Sequence, residues 1–196
     1  MSGSCVTTKK EQIMEAALQI FSVKGFHLAK MEDIAHKAGV GKGTVYEYFS
    51  SKEELFKEIL KEGVGTFDEL LKEELSNAKT IKEKLQGLIR QSLIIWKRFH
   101  PLAKTTAMET AFLDSPFRSW LMEKHYERLL LIKDIIEEGI HQQEIRSING
   151  LLFAHLFYGG LASMAGFYVE EDLESDKLEL LIEETLDYYL KGIAKK

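Results

Sequence analysis

Ile34-Ala35-His36-Lys37-Ala38-Gly39-Val40-Gly41-Lys42-Gly43-Thr44-Val45-Tyr46-Glu47-Tyr48-Phe49 is the stretch on which the fold turns. Ile34, Ala35 and Ala38 give a short helix one small apolar face. Gly39 follows, where a tight turn needs a residue that enters the left-handed region at little steric cost. Val40, Val45 and Phe49 then supply the core face of a second short helix, and Ala35 has to be small because two helices joined by so short a turn nearly touch. This is the spacing of a helix-turn-helix, whose second helix enters the major groove of a duplex. Once its core residues are assigned, that helix leaves Lys42, Gly43, Thr44, Tyr46, Glu47 and Tyr48 at its start and on its outer side. A lysine, hydroxyls and backbone amides at a helix start suit phosphate oxygens and base edges. Two phenols on a surface helix imply an external partner; the alternative is that Tyr46 and Tyr48 only fill the space between helices.

Outward from this stretch, helix starts are legible. Thr8-Lys9-Lys10-Glu11, Ser51-Lys52-Glu53-Glu54 and Thr80-Ile81-Lys82-Glu83 each have a hydroxyl followed three residues later by glutamate, the pattern of a capping box. Behind Thr8, Ile13, Ala16, Ala17, Ile20 and Phe21 recur at helical spacing, and the stripe stops near Gly25. Ser115-Pro116 places a capping hydroxyl before a proline at a first helical position, and Ser147 and Ser175 are read as caps of the last two helices. Only two prolines occur, at 101 and 116, and no stretch alternates as a strand does. The expectation is an all-α chain of about nine helices.

Residues 147–169 contain no Asp, Glu, Lys or Arg, and by length alone could span a bilayer. His155, Ser163, Asn149 and four glycines lie within the run, and no Lys/Arg cluster flanks it to set an orientation, so a buried helix of a soluble protein is expected instead, with no membrane partner. The formal net charge of −5 is uneven. Residues 1–52 carry seven Lys/Arg against five Asp/Glu, whereas residues 53–196 carry 19 against 26. A mildly basic head on an acidic body points to an anionic partner near the N-terminus, and a pI near 5.8 argues against indiscriminate coating of nucleic acid. The single cysteine, Cys5, permits no intramolecular disulfide or paired-cysteine metal site. The N-terminus has neither the basic nor the apolar block of a signal peptide, so a cytoplasmic location is expected.

Competing motifs fare worse. Gly39-Val40-Gly41-Lys42-Gly43-Thr44 fails as a phosphate-binding loop, because a glycine separates Lys42 from Thr44 and no strand precedes it. The six histidines include no pair four residues apart, and scattered core or cavity histidines are a simpler reading than a metal site. No catalytic constellation and no cofactor motif emerge.

The chain resembles the tetracycline-repressor (TetR) family of bacterial regulators. The resemblance runs through Ile13–Phe21, Gly25-Phe26, Met31-Glu32-Asp33-Ile34-Ala35, Ala38-Gly39-Val40, Lys42-Gly43-Thr44-Val45-Tyr46, Tyr48-Phe49 and Ser51-Lys52-Glu53-Glu54-Leu55-Phe56, covering about residues 9–58. The rest is similar only in length and helical character. The resemblance implies a three-helix DNA-binding domain over residues 1–52 and an effector-binding and dimerisation domain over residues 53–196. It implies DNA contacts from Lys42, Gly43, Thr44, Tyr46 and Tyr48, and a phosphate held by Lys52. Two departures stand out: Ala29 and Lys30 occupy positions where the family often has threonines, Lys30 bringing a charge of its own, and Gly41 replaces a common serine cap.

The expected function is therefore a transcriptional regulator, a repressor that leaves a palindromic DNA operator on binding a small molecule. One recognition helix reads few bases, so a homodimer is expected, its interface built from the 147–169 run and from a last helix bearing Leu178, Leu181, Ile182, Leu186, Tyr189 and Ile193. For the effector, Phe67, Trp96, Phe99, His100, Met108, Phe112, Trp120, His125, Tyr126, His155, Tyr158 and Phe167 are the candidate lining. With no Lys/Arg cluster inside the apolar stretches, a hydrophobic or aromatic effector is favoured over a multiply charged one. Two other readings stay open: a helical carrier or enzyme whose N-terminal helices are only scaffold, and a single-span membrane protein.

Overall fold

The computed structural model describes residues 8–109, 113–168 and 175–192. Among them the backbone forms eight helices and no strand, one helix fewer than the nine expected: α1 (Lys9–Leu28), α2 (Met31–Lys37), α3 (Lys42–Tyr48), α4 (Lys52–Asn77), α5 (Ile81–Glu109), α6 (Ser115–His141), α7 (Gly150–Tyr168) and α8 (Ser175–Lys191). Helix α5 continues through Pro101, a residue that ordinarily ends or kinks a helix. The chain divides into two compact units, residues 1–64 with 99–114 and residues 65–98 with 115–196, so α4 and α5 contribute to both.

The first unit is organised by α1 and its sharp end. Thr8 and Glu11 form the capping box, the Thr8 N–H donating to the Glu11 carboxylate at 2.8 Å and the Glu11 N–H to the Thr8 hydroxyl at 3.2 Å. Ile13, Ala17 and Phe21 are buried, and the helix breaks at Gly25, whose φ of +72° suits glycine alone. The break turns Phe26 inward onto Phe21 and Phe56, with ring centroids 5.6 and 5.0 Å away. Between α2 and α3 the chain makes a Schellman turn. Val40 N–H donates to Ala35 O at 3.0 Å and Gly39 N–H to His36 O at 3.2 Å, with Gly39 at φ +66°.

The second unit is a helical layer whose core is Phe67 and Leu71 of α4, Leu85, Ile89 and Leu93 of α5, Leu129, Ile132 and Ile136 of α6, Phe157 and Leu161 of α7, and Ile182 and Leu186 of α8. Arg90 ties three helices, donating to Glu74 of α4 at 2.9 Å and to Glu179 of α8 at 2.8 Å. These bonds raise the Arg90 pKa and hold Glu179 below the usual carboxylate range. The capping box at Thr80 and Glu83 is present. The cap of α7 is not Ser147 but Asn149, whose side-chain oxygen accepts from Leu152 N–H at 3.0 Å; both residue types cap helices, and the start is two residues later than the serine implied.

Helix α7 is buried on one face only. Ala154, Phe157 and Leu161 are inside, whereas Leu152 and Leu156 are 57% and 62% exposed, and Gly159 and Ser163 continue that open face. Of the α8 stripe expected at a dimer interface, Ile182 and Leu186 are buried within this chain, Leu178, Leu181 and Tyr189 are half-buried, with the Tyr189 ring 4.9 Å from Phe157, and Ile193 lies outside the described residues. Helical spacing reports that a face is buried, not what buries it. The large apolar residues that α8 leaves exposed are Leu180, Tyr188 and Leu190. Among the described residues, no helix is long and apolar enough to cross a membrane.

Candidate nucleic-acid interface and effector cluster

Helix α3 is held by its inner face. Val45 is fully buried and Phe49, at the cap, is 2% exposed, so the opposite face is fixed outward. On that face Lys42, Gly43, Tyr46 and Tyr48 are exposed, both tyrosines at 44%, and Thr44 is half-buried. A Cβ placed on Gly43 would meet no atom of the protein within 4 Å. Glycine costs about 1 kcal/mol against alanine inside a helix, so packing within the chain gives no reason for it, while close approach of an external backbone would. Gly41 begins the helix without a side-chain cap.

The Lys42 charge on this surface is paired. Lys42 donates to Glu32 of α2 and lies 5.7 Å over the Tyr46 ring. The bond holds the Glu32 carboxyl below its ordinary range and raises the Lys42 ammonium. Lys30 is exposed and stands at the cap of α2, its N–H donating to Asp33 at 3.3 Å. Lys52 has partners within the chain that the sequence does not announce. Its ammonium donates to the carbonyls of Phe26 at 2.6 Å, Ala29 at 2.9 Å and His27 at 3.1 Å, and sits 4.5 Å over the Phe26 ring. Three donors meet three carbonyls where α1 ends. Those partners are more than twenty residues away in sequence, so the motif could not reveal this clamp.

In the second unit, four candidate effector residues converge. The Tyr158 ring lies 4.9 Å from His125 and 6.5 Å from Trp96, and the group is completed through Phe67 by a residue the sequence reading passed over, Arg128. Its guanidinium lies 4.5 Å over the buried Phe67 ring, 3.5 Å from the Tyr158 hydroxyl and 3.8 Å from Asp68. The Arg128 side chain is only 19% exposed, and its Nε is buried with no hydrogen-bond partner among the described residues. Leaving such a donor unpaired costs about 1–3 kcal/mol, more when it is charged. Burial pushes the His125 pKa down, and the neighbouring His155 and Arg128 push it further. The sequence signal for Arg128 was slight: one arginine three residues after His125, followed by Leu129-Leu130-Leu131.

The other candidates are dispersed. His155 is exposed, Tyr126 is 55% exposed, and Trp120 stacks on Phe117 at 5.2 Å. Phe99 belongs to the first unit, against Gly63. The side chains of His100, Met108, Phe112 and Phe167 lie outside the described residues. Beside Arg128, α4 and α6 enclose an open groove of about 490 Å³ with Leu71, Leu75 and Leu131 on its walls. No group of three or more His, Cys, Asp or Glu side chains is placed to hold a metal among the described residues.

Comparison with known proteins covers the whole chain. The family described as "Bacterial regulatory proteins, tetR family" matches residues 13–59, and "YsiA-like protein, C-terminal region" matches residues 60–192. The fatty acid metabolism regulator protein of Bacillus subtilis is 30% identical, over 96% of this chain and 97% of its own length. A crystal structure of the transcriptional regulator FadR from Bacillus subtilis in complex with stearoyl-CoA is 29% identical, with a TM-score of 0.76 over 93% of this chain and 98% of that one. The fatty acid degradation regulator FadR from Bacillus halodurans is 26% identical, with a TM-score of 0.79 over the full length of both chains.

Proposed function

Because the chain belongs to the tetR family of bacterial regulatory proteins and is a DNA-binding transcriptional regulator, we propose that it represses from a palindromic operator and is released by a ligand with a long apolar chain, of the fatty acyl-CoA type. The observation that carries the DNA half is α3, locked by Val45 and Phe49 so that Lys42, Gly43, Thr44, Tyr46 and Tyr48 share the outward face. These residues, with Lys30 beside them, form the proposed DNA surface. Lys52 serves that surface by fixing the end of α1 against the start of α4. The functional boundary falls near residue 52, with the effector and dimerisation region over residues 53–196.

The ligand class is supported by whole-length similarity to a fatty acid metabolism regulator and by the stearoyl-CoA complex of a 29% identical relative. Phe67, Trp96, His125 and Tyr158 form the proposed effector set in this chain, which acts beside the DNA in the cytoplasm. A second copy covers the open face of α7, at Leu152, Leu156, Gly159 and Ser163, together with Leu180 and Tyr188 of α8. A dimer carries two copies of α3, as a two-fold operator requires. A ligand can release DNA only so far as it prefers the spacing that DNA does not, about 1–3 kcal/mol for typical coupling. The test is to select a duplex from random sequence with the purified protein and titrate palmitoyl-CoA into the complex. A selected inverted repeat and ligand-dependent release are expected. A protein that enriches no sequence, or an unchanged complex at saturating palmitoyl-CoA, contradicts the proposal.

A further inference from the structure

Arg128 is the one guanidinium among the described residues that combines burial with an unpartnered nitrogen. Arg90, the other part-buried arginine of this unit, makes three bonds to carboxylates between 2.8 and 3.1 Å. Arg128 meets its nearest carboxylate at 3.8 Å and the neutral Tyr158 hydroxyl at 3.5 Å, distances at or beyond the limit of a useful hydrogen bond. Such a cation is poorly served by its own fold. It is nevertheless fixed, because the Phe67 face holds the guanidinium plane and α6 anchors its stem. A fork of donors held against an aromatic ring, beside a groove walled by Leu71, Leu75 and Leu131 and edged by Asp68, Lys72, Ser76 and Glu127, combines an oxyanion receptor with a largely apolar trough.

We infer that Arg128 is the anchor for the anionic head of the effector, a carboxylate or phosphate oxyanion on a molecule whose apolar chain runs along the α4–α6 groove. The inference rests on the effector reading above and adds the residue and the charge that the ligand must carry. The Tyr158 hydroxyl accepts from the guanidinium and donates to the same oxyanion. His125, whose charged form is disfavoured by burial and by the groups around it, adds a donor without a permanent charge. A ligand with a single buried oxyanion is accommodated, and an uncharged chain of equal length gains nothing from Arg128.

The experiment compares palmitoyl-CoA, palmitate and hexadecanol binding to the full-length wild type, Arg128→Gln and Arg128→Lys, read by tryptophan fluorescence, with release of the selected duplex followed in parallel. The two anions distinguish phosphate from carboxylate. Arg128→Gln is expected to weaken the preferred anion at least tenfold and leave hexadecanol unchanged, with Arg128→Lys between the two. Thermal unfolding without ligand supplies a second readout: Arg128→Met should melt at or above the wild-type temperature, because it removes a buried cation that lacks a partner. Equal weakening of anion and alcohol, or a lower melting temperature for Arg128→Met, would make the residue structural and overturn the inference. So would palmitoyl-CoA releasing the duplex from Arg128→Gln at wild-type concentrations, an outcome that leaves the regulatory reading standing. Arg128-dependent binding of either anion without release supports the anchor and refutes the release mechanism.

Discussion

Lys52 and Arg128 each lie 4.5 Å over a phenylalanine ring, one in each unit, and there the likeness ends. Lys52 donates to three carbonyls at the end of α1, whereas Arg128 keeps a buried nitrogen without a partner and meets its nearest carboxylate at 3.8 Å. An unmet buried donor costs the folded protein stability, so it calls for a reason, and use by a ligand is one. In the first unit the cations finish the fold, and binding is left to the exposed tyrosines and Lys42. In the second unit the fold is finished by apolar contacts and by Arg90, and a cation is left unfinished.

The largest effect that bears on this contrast concerns the first unit's own core. Phe56 is fully buried against Phe21 and Phe26, so Phe56→Ala should cost about 3–5 kcal/mol in urea unfolding and abolish DNA binding with it. Next comes the clamp. Lys52→Met should cost about 1–3 kcal/mol, since it strips donors from partly buried carbonyls. Lys42→Ala should leave stability unchanged and cost about 1–3 kcal/mol in DNA affinity if it reaches a guanine edge. A Lys52→Met protein of full stability whose salt dependence of DNA binding drops by about one unit of slope would return Lys52 to the role of phosphate ligand.

How much of this was readable in the chain follows the distance between partners. Capping boxes at Thr8 and Thr80 involve residues three apart and are seen in the structure, whereas at Ser51 the hydroxyl accepts from Glu54 N–H but the Glu54 carboxylate takes the Ser50 N–H instead. The Gly39 turn is equally local, and so was the outward set on α3, because Val45 and Phe49 leave it no other place. What was missed is long-range. Lys52 finds its carbonyls 23 to 26 residues back, and Arg128 reaches Phe67 and Tyr158 from three different helices. Of the α8 stripe, Ile182 and Leu186 are buried within this chain, for periodicity carries no name for the partner.

The smallest effect concerns pH. The folded pKa of His125 lies below its ordinary 6.5, so between that value and the lowered one the unfolded chain takes up a proton that the folded chain refuses. Stability should therefore fall as pH drops below about 6.5, and His125→Gln should flatten that part of the melting-temperature profile. An unchanged slope would mean that His125 is solvated like any surface histidine.

The account turns on α3 reading DNA under control of a ligand in the second unit. Fluorescence anisotropy of the selected duplex, titrated with wild type and with Tyr46→Ala in the presence and absence of palmitoyl-CoA, tests it most directly. The expected result is salt-dependent binding by the wild type, at least tenfold weaker binding by Tyr46→Ala, and loss of the wild-type complex on adding palmitoyl-CoA. Equal binding by the two proteins, with a complex indifferent to palmitoyl-CoA, would contradict it.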